Sequence, residues 1–355
     1  MKSKKWFFVG DVAISGDMEL TDASKNCADW RRHTKGASLV FANLEIPISS
    51  SQDYAPVHRA SKESMRAYLL ELGITHVSLA NNHIFDSGEE GLKETIQLLD
   101  DCGIMHTGAG GNLNLRAPIL DEVDGIKIAI FAYAVEETNI KNYNKFPGWV
   151  NTWNEIEILE WVNLCKKEKR IIIFSIHWGT DYAFYPNQQQ FKYSNWLCEI
   201  GVDLVIGHHA HVVQPMMQCS TNKNQFVFFG LGGLMFGNFL KNGEWNSLFS
   251  RTKVGLILGL QLDDEKWNFE YSQSKENWSH SVKIRKWNFK KWAHLYLVFG
   301  NWIKNYPKLE SIFIKFDRTI LNLQHQFSEF GNGFIGKWIY QLKYFNRRRQ
   351  KDEIE

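Results

Sequence analysis

The chain has 355 residues, 44% of them hydrophobic and 23% charged, which is ordinary globular usage and excludes collagen, coiled-coil and wholly disordered architectures. The net charge of +2 hides an uneven distribution: residues 285–351 hold fourteen Lys/Arg against three Asp/Glu, while residues 1–284 are mildly acidic. The five cysteines (Cys27, Cys102, Cys165, Cys198 and Cys219) show no CxxC spacing, which argues against a disulfide framework and against a thiolate zinc site.

The opening apolar run, Trp6 to Val9, is too short for a signal-peptide core, and Asp11 ends it. No uninterrupted stretch approaches the ~20 apolar residues of a spanning helix. The sequence therefore predicts a cytoplasmic protein.

Short β-branched and aromatic runs predict strands at 5–9, 38–42, 75–80, 127–134, 170–176, 203–207, 226–230 and 254–262. Between them lie helical segments with start and stop signals. Ser61 to Leu72 reads as a helix ending at Gly73. Ser87 with Glu90 predicts a capping box for a helix closed by Gly103, and Thr152 with Glu155 predicts another. Asn187 can cap a helix that Gly201 closes. This alternation predicts an α/β domain. From about residue 276 the pattern turns basic and aromatic, with Trp287, Trp292, Trp302 and Trp338 and then Arg347 to Arg349. Gly331, Gly333 and Gly336 argue against one long helix, so several helical segments are expected there.

Polar residues follow five of the predicted strands, where sites form in open α/β sheets. They are Gly10-Asp11, Asn43-Leu44-Glu45, Asn81-Asn82-His83 with Asp86, His177-Trp178-Gly179, and Gly207-His208-His209-Ala210-His211. A single Asp or His at a strand end is usually a turn, cap or packing residue. Five such places together supply carboxylates, an amide oxygen and imidazoles, a mixed N/O set suited to Mn, Fe or Zn. In an extended stretch His209 and His211 would point to one face.

These residues, in this order, resemble the calcineurin-like metallophosphoesterases, and more closely the bacterial capsule-biosynthesis CapA (PGA_cap) family. The matching motifs are GDVAISG at 10–16, NLEIP at 43–47, ANNHIFDSGEEG at 80–91, HWGTDY at 177–182, GHHAHVVQ at 207–214 and GLGGLMFGNF at 230–239. The resemblance, which spans roughly residues 5–262, implies a metallophosphoesterase-like αββα four-layer sandwich for a domain over 1–275, and the change in composition sets 276–355 apart as a basic C-terminal helical extension outside the resemblance. It implies Asp11, Glu45, Asn82, His177, His209 and His211 as ligands of one or two divalent ions, and His83 near the leaving group with Asp86 orienting it. Three departures stand out. Ala13 replaces a ligand histidine of the phosphoesterases, Asp181 and Ala210 replace a common Glu and Pro, and GLGG at 230–233 weakens a motif.

The resemblance implies a metal-dependent hydrolase of a phosphoester or amide-type bond in capsule or poly-γ-glutamate biosynthesis. Its alternative is a non-catalytic component of a capsule-polymer assembly, which Ala13 favours. Expected partners are an anionic polymer or phosphoester substrate. Through 285–351 they extend to an anionic membrane surface, which would place the protein peripherally at the inner membrane face, or to capsule-synthesis proteins. No nucleic-acid-binding motif is present, which argues against that partner.

Overall fold

The structure, a computed structural model, describes residues 5–49, 59–112, 114–138, 149–219, 222, 224–241, 244–246, 252–263, 266–276, 280–287 and 289. The expected helical segments beyond 290, with their tryptophans and the arginine run, lie outside the described residues. In chain order the strands are β1 (Trp6–Ala13), β2 (Leu39–Leu44), β3 (His76–Ser78), β4 (Met105–Thr107), β5 (Ile119–Val123), β6 (Ile126–Ala134), β7 (Ile171–His177) and β8 (Leu204–His208). They continue as β9 (Met216–Gln218), β10 (Phe226–Phe228), β11 (Gly233–Phe236), β12 (Phe239–Lys241), β13 (Glu244–Asn246), β14 (Val254–Asp263), β15 (Lys266–Glu276) and β16 (Val282–Lys286). The helices are α1 (Ala23–Asn26), α2 (Ala28–His33), α3 (Lys62–Glu71), α4 (Gly88–Asp101), α5 (Glu155–Lys167) and α6 (Gln188–Ile200).

Two sheets pack face to face. The first has the order β16-β15-β14-β1-β2-β3-β4 with β11 added beside β1, and the second runs β5-β6-β7-β8-β10-β9. Alternation along each strand divides the apolar side chains between two faces. Trp6, Phe8, Leu39 and Phe41 point inward and meet Ile128, Ile130, Leu204, Ile206 and Phe228 of the second sheet. Phe7, Val9 and Val40 point outward, under Trp30, Met65, Leu69, Leu92 and Leu98 of the helices. On the far side Phe131, Phe174 and Val205 lie under Ile158, Val162 and Leu197 of α5 and α6. Helix, sheet, sheet and helix make the expected four layers. Strands buried on both faces read as continuous apolar runs, which is why β1, β6 and β7 were conspicuous in the sequence.

Some local readings differ. Ser87 precedes α4 but makes no side-chain cap bond, and α5 is capped by Asn154, which accepts from the backbone of Ile156 and Glu157, in place of Thr152. Asn187 and Gln190 do form a reciprocal capping box, and Gly201 closes α6 at φ 88°. Residues 282–286, assigned to the extension from their charge, form β16 and pair with β15. Val282 and Ile284 alternate onto the first cluster and the lysines and arginine stand between them, so a basic stretch is also an edge strand. Although the cysteine spacing argues against a disulfide framework, Cys198 and Cys219 are joined in a disulfide with Cα atoms 6.0 Å apart. Their separation of 21 residues carries no signature, because the packing of α6 beside the segment after β9 brings them together.

Candidate metal centre

The carboxyl ends of β1, β2, β7 and β8 and the loop after β3 converge between the two sheets. The first sheet brings Asp11, Asn43, Glu45, Asn82 and His83, and the second brings His177, His208, His209 and His211. Neighbouring strands are held in register by backbone pairing, with Asp11 beside Asn43 and His177 beside His208. Glycine makes the close approaches possible. A Cβ on Gly207 would lie 1.9 Å from the Phe229 carbonyl oxygen and 2.4 Å from Trp178 Nε1.

His209 and His211 do converge on the site, but not as an extended stretch. β8 ends at His208, and both histidines adopt left-handed backbone, with φ 84° and 55°. Non-glycine residues seldom take such φ, and the cost is tolerated where surrounding structure imposes it, often at functional sites.

Donor atoms fall into two groups. In one, His211 Nδ1 is 3.0 Å from Asp11 Oδ2, and His208 Nδ1 is 3.2 Å from Asp11 Oδ1. In the other, His177 Nε2 is 2.9 Å from Asn82 Oδ1 and 3.1 Å from His209 Nδ1. Glu45 stands between them, its Oε1 3.7 Å from His177 Nε2 and 3.9 Å from His211 Nε2. Ligand atoms of Asp11, Glu45 and His177 all lie within 4.8 Å of one another. Asn43 bridges both carboxylates, its Nδ2 donating to Asp11 Oδ1 at 2.8 Å and to Glu45 Oε2 at 2.5 Å. At the rim, Asp181 Oδ1 lies 3.3 Å from His209 Nε2, and Asp86 Oδ2 lies 2.7 Å from His83 Nδ1.

Electrostatics follow from burial. Burial, the Asp11 charge and that of Asp181 push the Glu45 carboxyl well above its usual range. Burial acts the same way on Asp11, but the imidazoles of His208 and His211 against it prevail and hold it well below. Burial, reinforced by His209, drives His177 well down, and burial drives His209 to about 4 although Asp181 opposes it. His177, His209 and Glu45 all resist charging because the pocket is deeply desolvated. Glu45 Oε1, His177 Nδ1 and both ring nitrogens of His208 are buried without hydrogen-bond partners among the described residues. Buried polar atoms are ordinarily paired, so these orphans together with a thiolate-free N/O set fit a divalent cation.

Every residue expected as a ligand is therefore brought to one place. Ala13 is not near-polar compensation for the missing histidine: it is buried in the first apolar cluster with Met235 and Phe236. Sequence reasoning missed Asn43 as a bridge, although it precedes Glu45 by two residues in one motif, and set His208 aside within a run of histidines.

Residues 5–238 match the family described as bacterial capsule synthesis protein PGA_cap. The capsule biosynthesis protein CapA of Bacillus anthracis is 25% identical over 243 residues, 65% of this chain and 56% of that protein. The PGA biosynthesis protein CapA of Bacillus subtilis is 25% identical over 241 residues, 64% of this chain and 62% of its own length. The chain thus spans little more than half of these relatives. Among solved structures, a 5′-nucleotidase precursor from Thermus thermophilus superposes with a TM-score of 0.48 at 13% identity, covering 86% of this chain and 60% of that one. With two-thirds of its residues in that match, the chain belongs to the bacterial capsule synthesis PGA_cap family.

Proposed function

We propose that this chain is a metal-dependent hydrolase of the CapA type, cleaving a phosphoester or amide-type bond in a capsule or poly-γ-glutamate polymer. The observation that carries this reading is Glu45, whose Oε1 faces imidazoles of two separate donor groups at 3.7 and 3.9 Å. Asp11 and His211 would hold one ion of Mn, Fe or Zn, and Asn82, His177 and His209 a second, with Glu45 shared. Ions bound there supply Lewis acidity toward water and toward a phosphoryl or carbonyl oxygen. The chain's own groups do the rest. Asn43 fixes the rotamers of both carboxylates, and Asp86 holds His83 by Nδ1, orienting the ring so that its Nε2 would pass a proton to the leaving group.

Elemental analysis of the purified protein, with a manganese-supplemented screen of phosphoesters and γ-glutamyl polymer, tests the reading. Asp11→Ala and His209→Ala should each lose metal and turnover. A parent protein that binds no divalent ion, with both variants behaving like it, refutes it. A second reading, a non-catalytic component of a polymer-assembly complex, is favoured by the apolar packing of Ala13. Metal-loaded protein that turns over none of these substrates would select it.

The basic, aromatic stretch 285–351 supports contact with an anionic membrane surface, an acidic polymer or capsule-synthesis proteins. No helix among the described residues is long and apolar enough to cross a membrane. A position at the inner membrane face suits that surface, whereas a Cys198–Cys219 bond persists best in an oxidising compartment. Deleting 291–355, which spares β16, should abolish binding to anionic vesicles.

A further inference from the structure

We infer that His208 ligates the ion held by Asp11, supplying from the second sheet the imidazole that Ala13 cannot supply from β1. This rests on the metal-centre reading proposed above and adds a residue to it. His208 is the last residue of β8 and the register partner of His177, so the two side chains leave the second sheet on the same face. Its Nδ1 reaches to 3.2 Å from Asp11 Oδ1, while His211 Nδ1 lies 3.0 Å from the other oxygen. Two donors each ~2.1 Å from one ion and at right angles to each other stand ~3 Å apart, so both spacings suit neighbours in one coordination sphere.

Both ring nitrogens of His208 being orphaned at once favours this role over simple packing. The buried His76 satisfies both ring nitrogens, with Thr75 Oγ1 at 2.8 Å and Asp121 Oδ2 at 3.2 Å. His208 is as deeply buried, yet neither ring nitrogen has a hydrogen-bond partner among the described residues. Its approach to Asp11 is close but lies outside hydrogen-bond geometry. An imidazole edge placed against a carboxylate in this way suits two ligands of one shared ion. Packing of the ring near Phe41, centroids 6.3 Å apart, leaves Nδ1 turned to Asp11.

The test compares the parent, His208→Ala, His208→Gln and the double variant Ala13→His/His208→Ala, each stripped of metal and titrated with Mn²⁺, Zn²⁺ and Co²⁺. Losing an outer hydrogen-bond partner of a ligand weakens binding ~10–100-fold, so losing the ligand itself should weaken the Asp11 ion by more than ~100-fold. Both single variants should retain the second ion, and the imidazole restored at position 13 should recover the first. Circular dichroism of the metal-free proteins checks that folding is equal. In the parent loaded with Co²⁺, hyperfine-shifted ring N–H resonances that vanish in D₂O should number one for each of His177, His208, His209 and His211, a readout that needs no variant to fold. Unchanged affinity and stoichiometry in the single variants, or a set of shifted resonances lacking His208, overturns the inference. A parent that binds no metal overturns the centre itself, a different result.

Discussion

Substituting Gly207 by Ala should separate fold stability from assembly of the centre. The added Cβ would sit 1.9 Å from a backbone carbonyl oxygen, about 1.5 Å short of the 3.4 Å at which ordinary contact begins, and the Trp178 ring nitrogen at 2.4 Å closes the other side. Trp178 cannot swing away, because it is fully buried and its Nε1 donates to the same Phe229 oxygen at 2.8 Å. The end of β8 must therefore shift by something near 1 Å, carrying His208 to His211 with it. Overpacking of this kind costs ~1–3 kcal/mol, or roughly 2–12 °C in Tm for a domain of this size. Metal ligands tolerate only ~0.2 Å, so binding should fall much further than stability. Gly125→Ala is the control: its φ is +79° but an added Cβ meets nothing within 4 Å, so it should lower Tm through backbone strain and leave metal affinity intact. Calorimetry of the metal-free proteins and competition titration with a chromophoric chelator read the two quantities. A G207A protein with parental metal affinity would refute the argument that this glycine positions the histidines.

Asp181→Asn should weaken metal binding ~10–100-fold without changing the fold, because Asp181 faces His209 Nε2 at 3.3 Å while Nδ1 turns to the centre; isothermal titration checks this. His76 has its folded pKa lowered by burial from 6.5, so protonation favours the unfolded chain: its contribution is intact above 6.5 and is lost as pH falls below it. Urea unfolding at pH 7.5 and 5.5 should show a smaller acid loss in His76→Gln than in the parent, and equal losses would refute the assignment. Thiol titration of the denatured, unreduced protein should find Cys27, Cys102 and Cys165 reactive and Cys198 and Cys219 silent until reduction.

Much of the site was legible because its residues lie at strand ends, and strand ends are local features. An apolar run followed by Asp11, Glu45, His177 or His209 marks the end of a strand wherever it later pairs, and the family resemblance carried by the motifs implies the ligand set. The capping boxes were less legible, since Ser87 and Asn154 show that a cap depends on the backbone angle at which the chain enters a helix. The basic edge strand β16 was hidden by its charge, which is uninformative about pairing until β15 lies alongside.

The sequence by itself determined the α/β alternation and the chemical types gathered at the strand ends, both of which depend on periodicity and neighbouring residues. Only the tertiary structure decided which of those types face one another. His211 meets Asp11 across 200 residues of chain, His208 comes to 3.2 Å from the same carboxylate, Glu45 comes between two donor groups, and Cys198 finds Cys219. Each of these pairings depends on how two sheets pack across apolar faces that carry no instruction about polar partners, so no local pattern in the chain could have announced them.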